Sequence, residues 1–270
     1  MSRIAEAFST MRRHARRGFI PFITAGDPNL QITCELLVEL ARAGADIIEL
    51  GVPFSDPMAD GPVIQRASDR ALQHHVGVTE VLAATADARK KMDVPVVLFS
   101  YYNPLLQFGV ERLCDAARAA GVDGVLVTDL VPEEATDFAA ALRKRELDQI
   151  FLVSPTSTEA RLRMIAERAS GFIYAVSRAG VTGARTEVSQ EAEKLVARVR
   201  EVSSLPVAVG FGVSTREHVA DVWRYADAAV VGSSIVAEIE RLADAPDLVP
   251  RVGEFARALL PGQSAPASHT

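Results

Sequence analysis

The sequence predicts a single (β/α)8 barrel with an extra N-terminal helix, and three observations support this fold class. Short apolar segments and helical segments alternate along the 270 residues, with eight strand-like segments in all. These segments are almost continuously apolar, as are parallel strands that are covered on both faces. Eight β/α units in roughly 250 residues match a closed barrel better than an open doubly wound sheet, which is the alternative.

The elements follow one another without a linker. The first helical segment, 2–15, is amphipathic, with Ile4, Phe8 and Met11 on one face. The predicted strands are 18–26, 46–52, 94–101, 124–128, 149–153, 171–176, 206–210 and 228–231. The predicted helices after the first strand are 29–43, 62–74, 78–91, 109–119, 133–144, 158–168, 189–202, 215–222, one that begins at about 233, and 247–259. We therefore expect one domain, 1–260, and a disordered tail, 261–270.

Composition narrows the class of protein. The chain is 49% hydrophobic and 24% charged, which is typical of a soluble globular protein. A formal net charge of −6 argues against nucleic acid or an anionic membrane as the main partner. No apolar run approaches the ~20 residues of a membrane span, and no signal-like segment begins the chain. Its two cysteines and five histidines show no metal-ligand spacing, so we expect a cytoplasmic protein without a metal site.

Two acidic residues in the segment 46–62 are the candidate acid–base pair. Glu49 interrupts an apolar strand, where a carboxylate is costly to bury unless it is paired or its pKa rises. Asp60 lies on the loop that follows, and barrel enzymes carry their active sites at the C-terminal ends of the strands. Two alternatives stay open at this point. Glu49 could reach solvent from a strand end, and Asp60-Gly61 could be ordinary turn chemistry.

Glycine-bearing turns after the last two strands predict a phosphate site. They read Gly210-Phe-Gly-Val-Ser214 and Val231-Gly-Ser-Ser-Ile235. Glycine lets backbone N–H groups approach an anion, and the loops after strands seven and eight are the usual phosphate cradle of this fold. These glycines could instead only make tight turns. A third glycine-containing segment, 178–185, could be a mobile lid or an ordinary surface loop.

The segment Leu50-Gly-Val-Pro-Phe-Ser-Asp-Pro-Met-Ala-Asp-Gly-Pro62 closely resembles the signature of the tryptophan synthase α subunit family. Matching segments at 21–28, 101–103, 177–183 and 210–213 extend the resemblance over nearly the whole chain. It implies a (β/α)8 lyase that cleaves indole-3-glycerol phosphate to indole and glyceraldehyde 3-phosphate. It also implies an α2β2 complex, in which the β subunit holds pyridoxal phosphate and makes tryptophan, whereas this subunit has no cofactor.

The same resemblance implies roles for single residues. Glu49 would be the acid–base residue and Asp60 the carboxylate that faces the indole nitrogen. The indole end would be lined by Phe22, Phe99, Tyr101, Leu152 and Tyr174. The closing loop would contain Thr182 and Gly183, and the other substrate-binding residues would be Phe211, Gly212, Gly232 and Ser233. Phe99 departs from the family pattern, which commonly has an aliphatic residue there.

A docking surface for the β subunit is expected beside the mouth of the active site. Prolines and apolar residues cluster there in the sequence, and such patches mark interfaces. The candidate interface residues are Pro53, Asp56, Asn103 and Pro132.

Two rival functions remain at the level of sequence. The first is another phosphate-binding barrel, such as an indole-glycerol-phosphate synthase or a phosphoribosyl isomerase. The synthase would need a lysine acid at a strand end, whereas all four lysines fall on predicted helices. A non-catalytic barrel that only activates a partner enzyme would not need both Glu49 and Asp60.

Overall fold

A computed structural model describes residues 1–176 and 185–262, without the side chains of 185–189. Eight parallel strands form a closed barrel in sequential order, which confirms the predicted fold class. The strands are β1 (Gly18–Thr24), β2 (Ile48–Gly51), β3 (Val96–Ser100), β4 (Gly124–Val127), β5 (Asp148–Val153), β6 (Ile173–Val176), β7 (Val207–Gly210) and β8 (Ala228–Val231).

Helices surround the barrel and cover its N-terminal end. They are α1 (Arg3–Arg13), α2 (Leu30–Ala43), α3 (Pro62–Gln73), α4 (Val78–Arg89), α5 (Tyr102–Phe108), α6 (Val110–Ala120), α7 (Thr136–Lys144), α8 (Glu159–Arg168), α9 (Arg185–Val202), α10 (Arg216–Val222), α11 (Ser233–Arg241) and α12 (Leu248–Ala258). Among the described residues, none of these helices is long and apolar enough to cross a membrane.

The N-terminal helix α1 closes the bottom of the barrel. Its predicted apolar face is confirmed, because Ile4, Phe8 and Met11 are all buried. The ring of Phe8 lies 5.7 Å from that of Phe172, which directly precedes β6. A Cβ atom at Gly18, the first residue of β1, would come within 2.7 Å of the sulfur of Met11. Since α1 covers this end of the barrel, the open end is the one at which the strands finish.

Alternation along the strands separates two apolar layers. Phe22 and Phe99 belong to the cluster inside the barrel, while their neighbours Ile23 and Leu98 pack outward against the helices. Glu49 lies beside Phe22 in the β1–β2 register, and its neighbours Ile48 and Leu50 belong to the outer layer. Because successive side chains of a strand point to opposite faces, Glu49 faces the barrel interior.

Helix α5 is the main difference from the sequence-based prediction. The segment after β3 was expected to extend the strand to Tyr101 and to have its next helix at 109–119. Instead, Tyr102–Phe108 forms a helix of its own, so Asn103 lies in a first helical turn. Pro104 is tolerated there because the first turn needs no backbone donor. Helix α7 also begins later than predicted, at Thr136, after a turn that contains Pro132.

The domain boundary stays a prediction. Helix α12 ends at Ala258, and residues 263–270 of the expected tail lie outside the described residues.

Candidate active site

Glu49 lies at the centre of the site, buried inside the barrel. Its side chain is 1% exposed, so the alternative in which it reaches solvent is wrong. Within the described part of the chain its Oε1 atom has no hydrogen-bond partner. Burial raises the pKa of Glu49 from 4.5 to about 8, because the charged form loses its hydration. At neutral pH this carboxyl is therefore mostly protonated.

Tyr174 on β6 contributes a second buried polar group near Glu49. Burial raises the pKa of its phenol, and the charge of Glu49 raises it further. A Cβ atom at Gly210, on β7, would lie 1.9 Å from the Tyr174 hydroxyl oxygen. Only glycine therefore leaves room for this tyrosine.

Asp60 is held at the rim of the site by Tyr101. The Tyr101 hydroxyl donates to Asp60 Oδ2 at 3.2 Å and accepts from the backbone N–H of Ala59 at 2.8 Å. Burial raises the pKa of Asp60 to about 6, and the Tyr101 hydrogen bond partly opposes this rise. Tyr101 was predicted to line the indole end. The structure shows that it also fixes the loop that carries Asp60.

Two of the predicted indole-binding residues, Phe22 and Phe99, pack against each other. The rings of Phe22 and Phe99 are 5.2 Å apart and close to perpendicular, and they lie beside a cavity of only about 10 Å³. A cavity of this volume holds about one water. The cavity is lined by Phe22, Thr24, Gly51, Val52, Asp60, Ile64, Ser68, Phe99, Ser100 and Tyr101.

Two other predicted substrate-binding residues lie around this cluster. Leu152 is half-buried and packs against the apolar cluster inside the barrel. Phe211 is 37% exposed, and its ring lies 6.1 Å from that of Tyr174. Phe211 has a φ of +67°, which is unusual for a residue with a side chain and marks a strained turn of the kind found at functional sites. Thr182 and Gly183 lie outside the described residues.

The predicted phosphate cradle lies next to the aromatic end. Helix α11 begins at Ser233, and Gly232 precedes it without a side-chain cap. The free N–H groups of such a helix start can bind an anion. Gly212 has a φ of +81°, and a Cβ atom there would meet nothing within 4 Å. A Cβ atom at Gly232 would lie 3.4 Å from Cβ of Phe22, so the cradle and the indole end are adjacent.

Thr24 and Ser68 are among the residues at the cavity that were not singled out from the sequence. Thr24 ends β1, and its buried hydroxyl oxygen has no hydrogen-bond partner in the described part of the chain. Its position at the end of a strand could have marked Thr24 as a candidate site residue. Ser68 lies on α3, where nothing in the sequence distinguishes it from other helical serines.

Fold and site together define a (β/α)8 enzyme with two carboxyl groups of raised pKa, an aromatic cluster and a predicted phosphate cradle at one end of the barrel. In residues 1–176 and 185–262, no three His, Cys, Asp or Glu side chains gather as metal ligands would.

Comparison with known proteins agrees with this class. The family model for the tryptophan synthase alpha chain matches residues 8–259. The tryptophan synthase alpha chain of Geobacter sulfurreducens is 50% identical over 96% of this chain and 98% of its own length. The crystal structure of the alpha subunit from Legionella pneumophila is similar with a TM-score of 0.89, at 37% identity over 96% of this chain and 97% of that one.

A third similar structure comes from a complex. It is reported as a study of mutual activation of the tryptophan synthase a2b2 complex from Pyrococcus furiosus. The TM-score is 0.83, at 38% identity over 90% of this chain and 97% of that one.

The chain belongs to the tryptophan synthase alpha chain family. It is a lyase of tryptophan biosynthesis that cleaves indole-3-glycerol phosphate, and the function implied by the sequence motif is confirmed.

Proposed function

We propose that Glu49 and Asp60 divide the work of this cleavage between them. The observation that carries the proposal is the burial of Glu49 without a hydrogen-bond partner in the described residues, which raises its pKa to about 8. Asp60, at the rim, has a pKa of about 6. Two carboxyl groups whose pKa values are pushed apart can hold opposite protonation states at the same pH.

The reaction needs both states. Before its bond to the glycerol phosphate can break, the indole ring must be protonated at C3, so that it accepts the bonding electrons. The side-chain hydroxyl loses its proton as the aldehyde forms. Protonated Glu49 can give the first proton and, once ionised, take the second. Ionised Asp60 stabilises the positive charge that develops on the indole N–H.

The positions of the four lysines argue against the rival synthase function. Lys144 and Lys194 lie on α7 and α9, while Lys90 caps the end of α4 and Lys91 follows it. None of these positions is at the end of a strand, where that reaction would need its lysine acid.

A β subunit is the proposed partner, in an α2β2 assembly whose β subunits hold pyridoxal phosphate. This chain itself would need no cofactor, and the complex would act in the cytoplasm. The a2b2 complex of the similar Pyrococcus furiosus structure supports the partner. Indole released here would pass to the β subunit for tryptophan synthesis.

The exposed apolar side chains beside the site support a docking surface. Met58 is 94% exposed, Leu106 49% and Val131 38%, although monomeric proteins usually leave such patches small. Of the predicted interface residues, Asp56 and Asn103 are exposed, whereas Pro53 and Pro132 are buried. These two prolines therefore shape the surface from beneath. Met58 lies in the loop that leads to Asp60, so docking would act directly on the catalytic loop.

The isolated chain should release indole slowly and should be activated when a β subunit is added. Coupling between two sites is reciprocal in binding free energy, so glycerol 3-phosphate should tighten the complex. Titration of a tryptophan synthase β subunit, with and without that ligand, measures the Kd, and an indole assay on the same samples measures activation.

Two variants sharpen this titration. Leu106→Asp should weaken the complex while the lone chain keeps its slow activity, whereas Arg13→Asp, at the end of α1, should leave the Kd unchanged. Full activity of the lone chain, with a Kd that the ligand does not change, would rule out the coupling.

A further inference from the structure

Four charged side chains form a network beside the active site. Arg70 donates from Nε and Nη2 to the two carboxylate oxygens of Asp27, at 2.7 and 2.9 Å. Its Nη1 atom donates to Glu240 Oε1 at 2.7 Å. Arg66 holds the same glutamate through two bonds, at 2.8 and 2.7 Å. Paired bonds of this kind fix the relative orientation of both partners.

The network joins the two ends of the proposed site. Arg66 and Arg70 are four residues apart on α3, so they share one helix face. Glu240 lies on α11, the helix that begins at the phosphate cradle, and α3 packs against α11. Asp27 lies in the turn after β1 and is 1% exposed. Three elements that surround the site are therefore tied together through α3.

Helix α3 in turn determines where Asp60 lies. The helix begins at Pro62, two residues after Asp60. Its Gln65 side chain donates from Nε2 to the backbone carbonyl of Asp60 at 2.9 Å. A displacement of α3 would therefore move the backbone of Asp60 together with the helix.

The Asp27 end of the network is buried, and the partly exposed Arg66–Glu240 bridge has two parallel hydrogen bonds and is joined to that end through Arg70. Exposed pairs hold their helices weakly, because water and salt screen them. Asp27 is buried, and without Arg70 its charge would have no partner to offset the lost hydration. The hydrogen bond from Arg66, followed by that from Arg70, lowers the pKa of Glu240 to about 2, so this bridge stays ionised throughout the physiological range.

We propose that Glu240 and Arg66 are positioning residues, which transmit the placement of the phosphate-cradle helix to Asp60 through α3. They touch neither substrate end themselves. A phosphate group bound at the start of α11 would hold that helix, and the Glu240 bridge would hold α3 with Asp60 facing the indole nitrogen. This inference rests on the proposed roles of Asp60 and the cradle.

The test compares Glu240→Gln and Arg66→Gln with the wild-type chain. Both residues are partly exposed and Asp27 keeps Arg70 in each variant, so the fold should survive. Arg241→Gln is the matched control, because it breaks an exposed pair with Glu238 on the same helix. For each protein, kcat and KM for indole-3-glycerol phosphate are measured across pH 5 to 9, with thermal unfolding alongside.

We expect kcat to fall about tenfold in Glu240→Gln, since small misplacements of a catalytic group cost this much or more. The acid limb of the pH profile, which Asp60 sets, should shift, and KM should change less than kcat. The double variant should lose no more than Glu240→Gln alone, because both changes break one bridge. Arg241→Gln should behave as wild type.

Other results would overturn the inference. Unchanged kcat and KM in Glu240→Gln would contradict it. A lower kcat with an unchanged pH profile and a lower Tm would also contradict it, because that result would mean only that a smaller fraction of the variant is folded. A wild-type chain that releases no indole would contradict the proposed function and this inference with it.

Discussion

Glu49→Gln is expected to abolish indole release while the chain stays folded. Glutamine has nearly the shape of glutamic acid, but its amide cannot give a proton to C3 or take one from the hydroxyl. General acid–base catalysis by one side chain typically contributes about 10²–10⁴-fold, and here one group would serve both transfers. The loss should therefore approach the detection limit of an indole assay.

Binding and stability measurements separate this loss from unfolding. Glycerol 3-phosphate should bind to Glu49→Gln as it does to wild type, since the proposed cradle consists of Gly212, Gly232 and Ser233. Glu35→Gln, an exposed change on α2, is the matched control and should keep full activity. Appreciable turnover by Glu49→Gln would remove the proposed role of Glu49.

Asp60→Asn should lower kcat by about 10²–10³-fold, the usual cost of losing one group that stabilises charge in the transition state. The amide can still accept the hydrogen bond of Tyr101, so the loop should keep its place. It supplies no negative charge, however, and the developing charge on the indole N–H would be unopposed.

The comparison of kcat with KM decides between two roles for Asp60. A change in KM alone would make it a binding residue, because uniform binding affects ground and transition states equally. Asp69→Asn, on the exposed face of α3, is the control and should change neither constant.

The barrel could be predicted from the sequence because each of its strands can be recognised from its own residues alone. Each apolar strand is a local pattern, and so is the face of α1 that carries Ile4, Phe8 and Met11. Helix α5 was missed because it is short and begins directly after the strand-like segment 94–101, where Tyr101 favours the strand. Its existence depends on packing, which the local pattern does not contain.

Candidate residues for the site could be named from the sequence, but their contacts could not. Glu49 could be recognised because a charge inside an apolar strand is unusual in any barrel. The bond between Tyr101 and Asp60 joins residues 41 positions apart, and no periodicity reveals it. The same holds for Arg70 and Glu240, which are 170 positions apart.

Phe99 shows a third kind of limit. The sequence showed that an aromatic residue stands where an aliphatic one is common, but not what the ring does. In the structure it packs edge-on against Phe22. This contact is visible only in the structure, because the two residues lie on different strands.

The pH dependence of kcat/KM in the wild-type chain tests the division of roles most directly, because this ratio reports the pKa values of the free enzyme's essential groups. Asp60 must be ionised, so activity should fall below its pKa of about 6. Glu49 must be protonated, so activity should fall above its pKa of about 8. The account predicts a bell-shaped profile with a maximum near neutral pH and limbs at these two values. A kcat/KM that stays constant from well below the lower pKa to well above the higher one would contradict it.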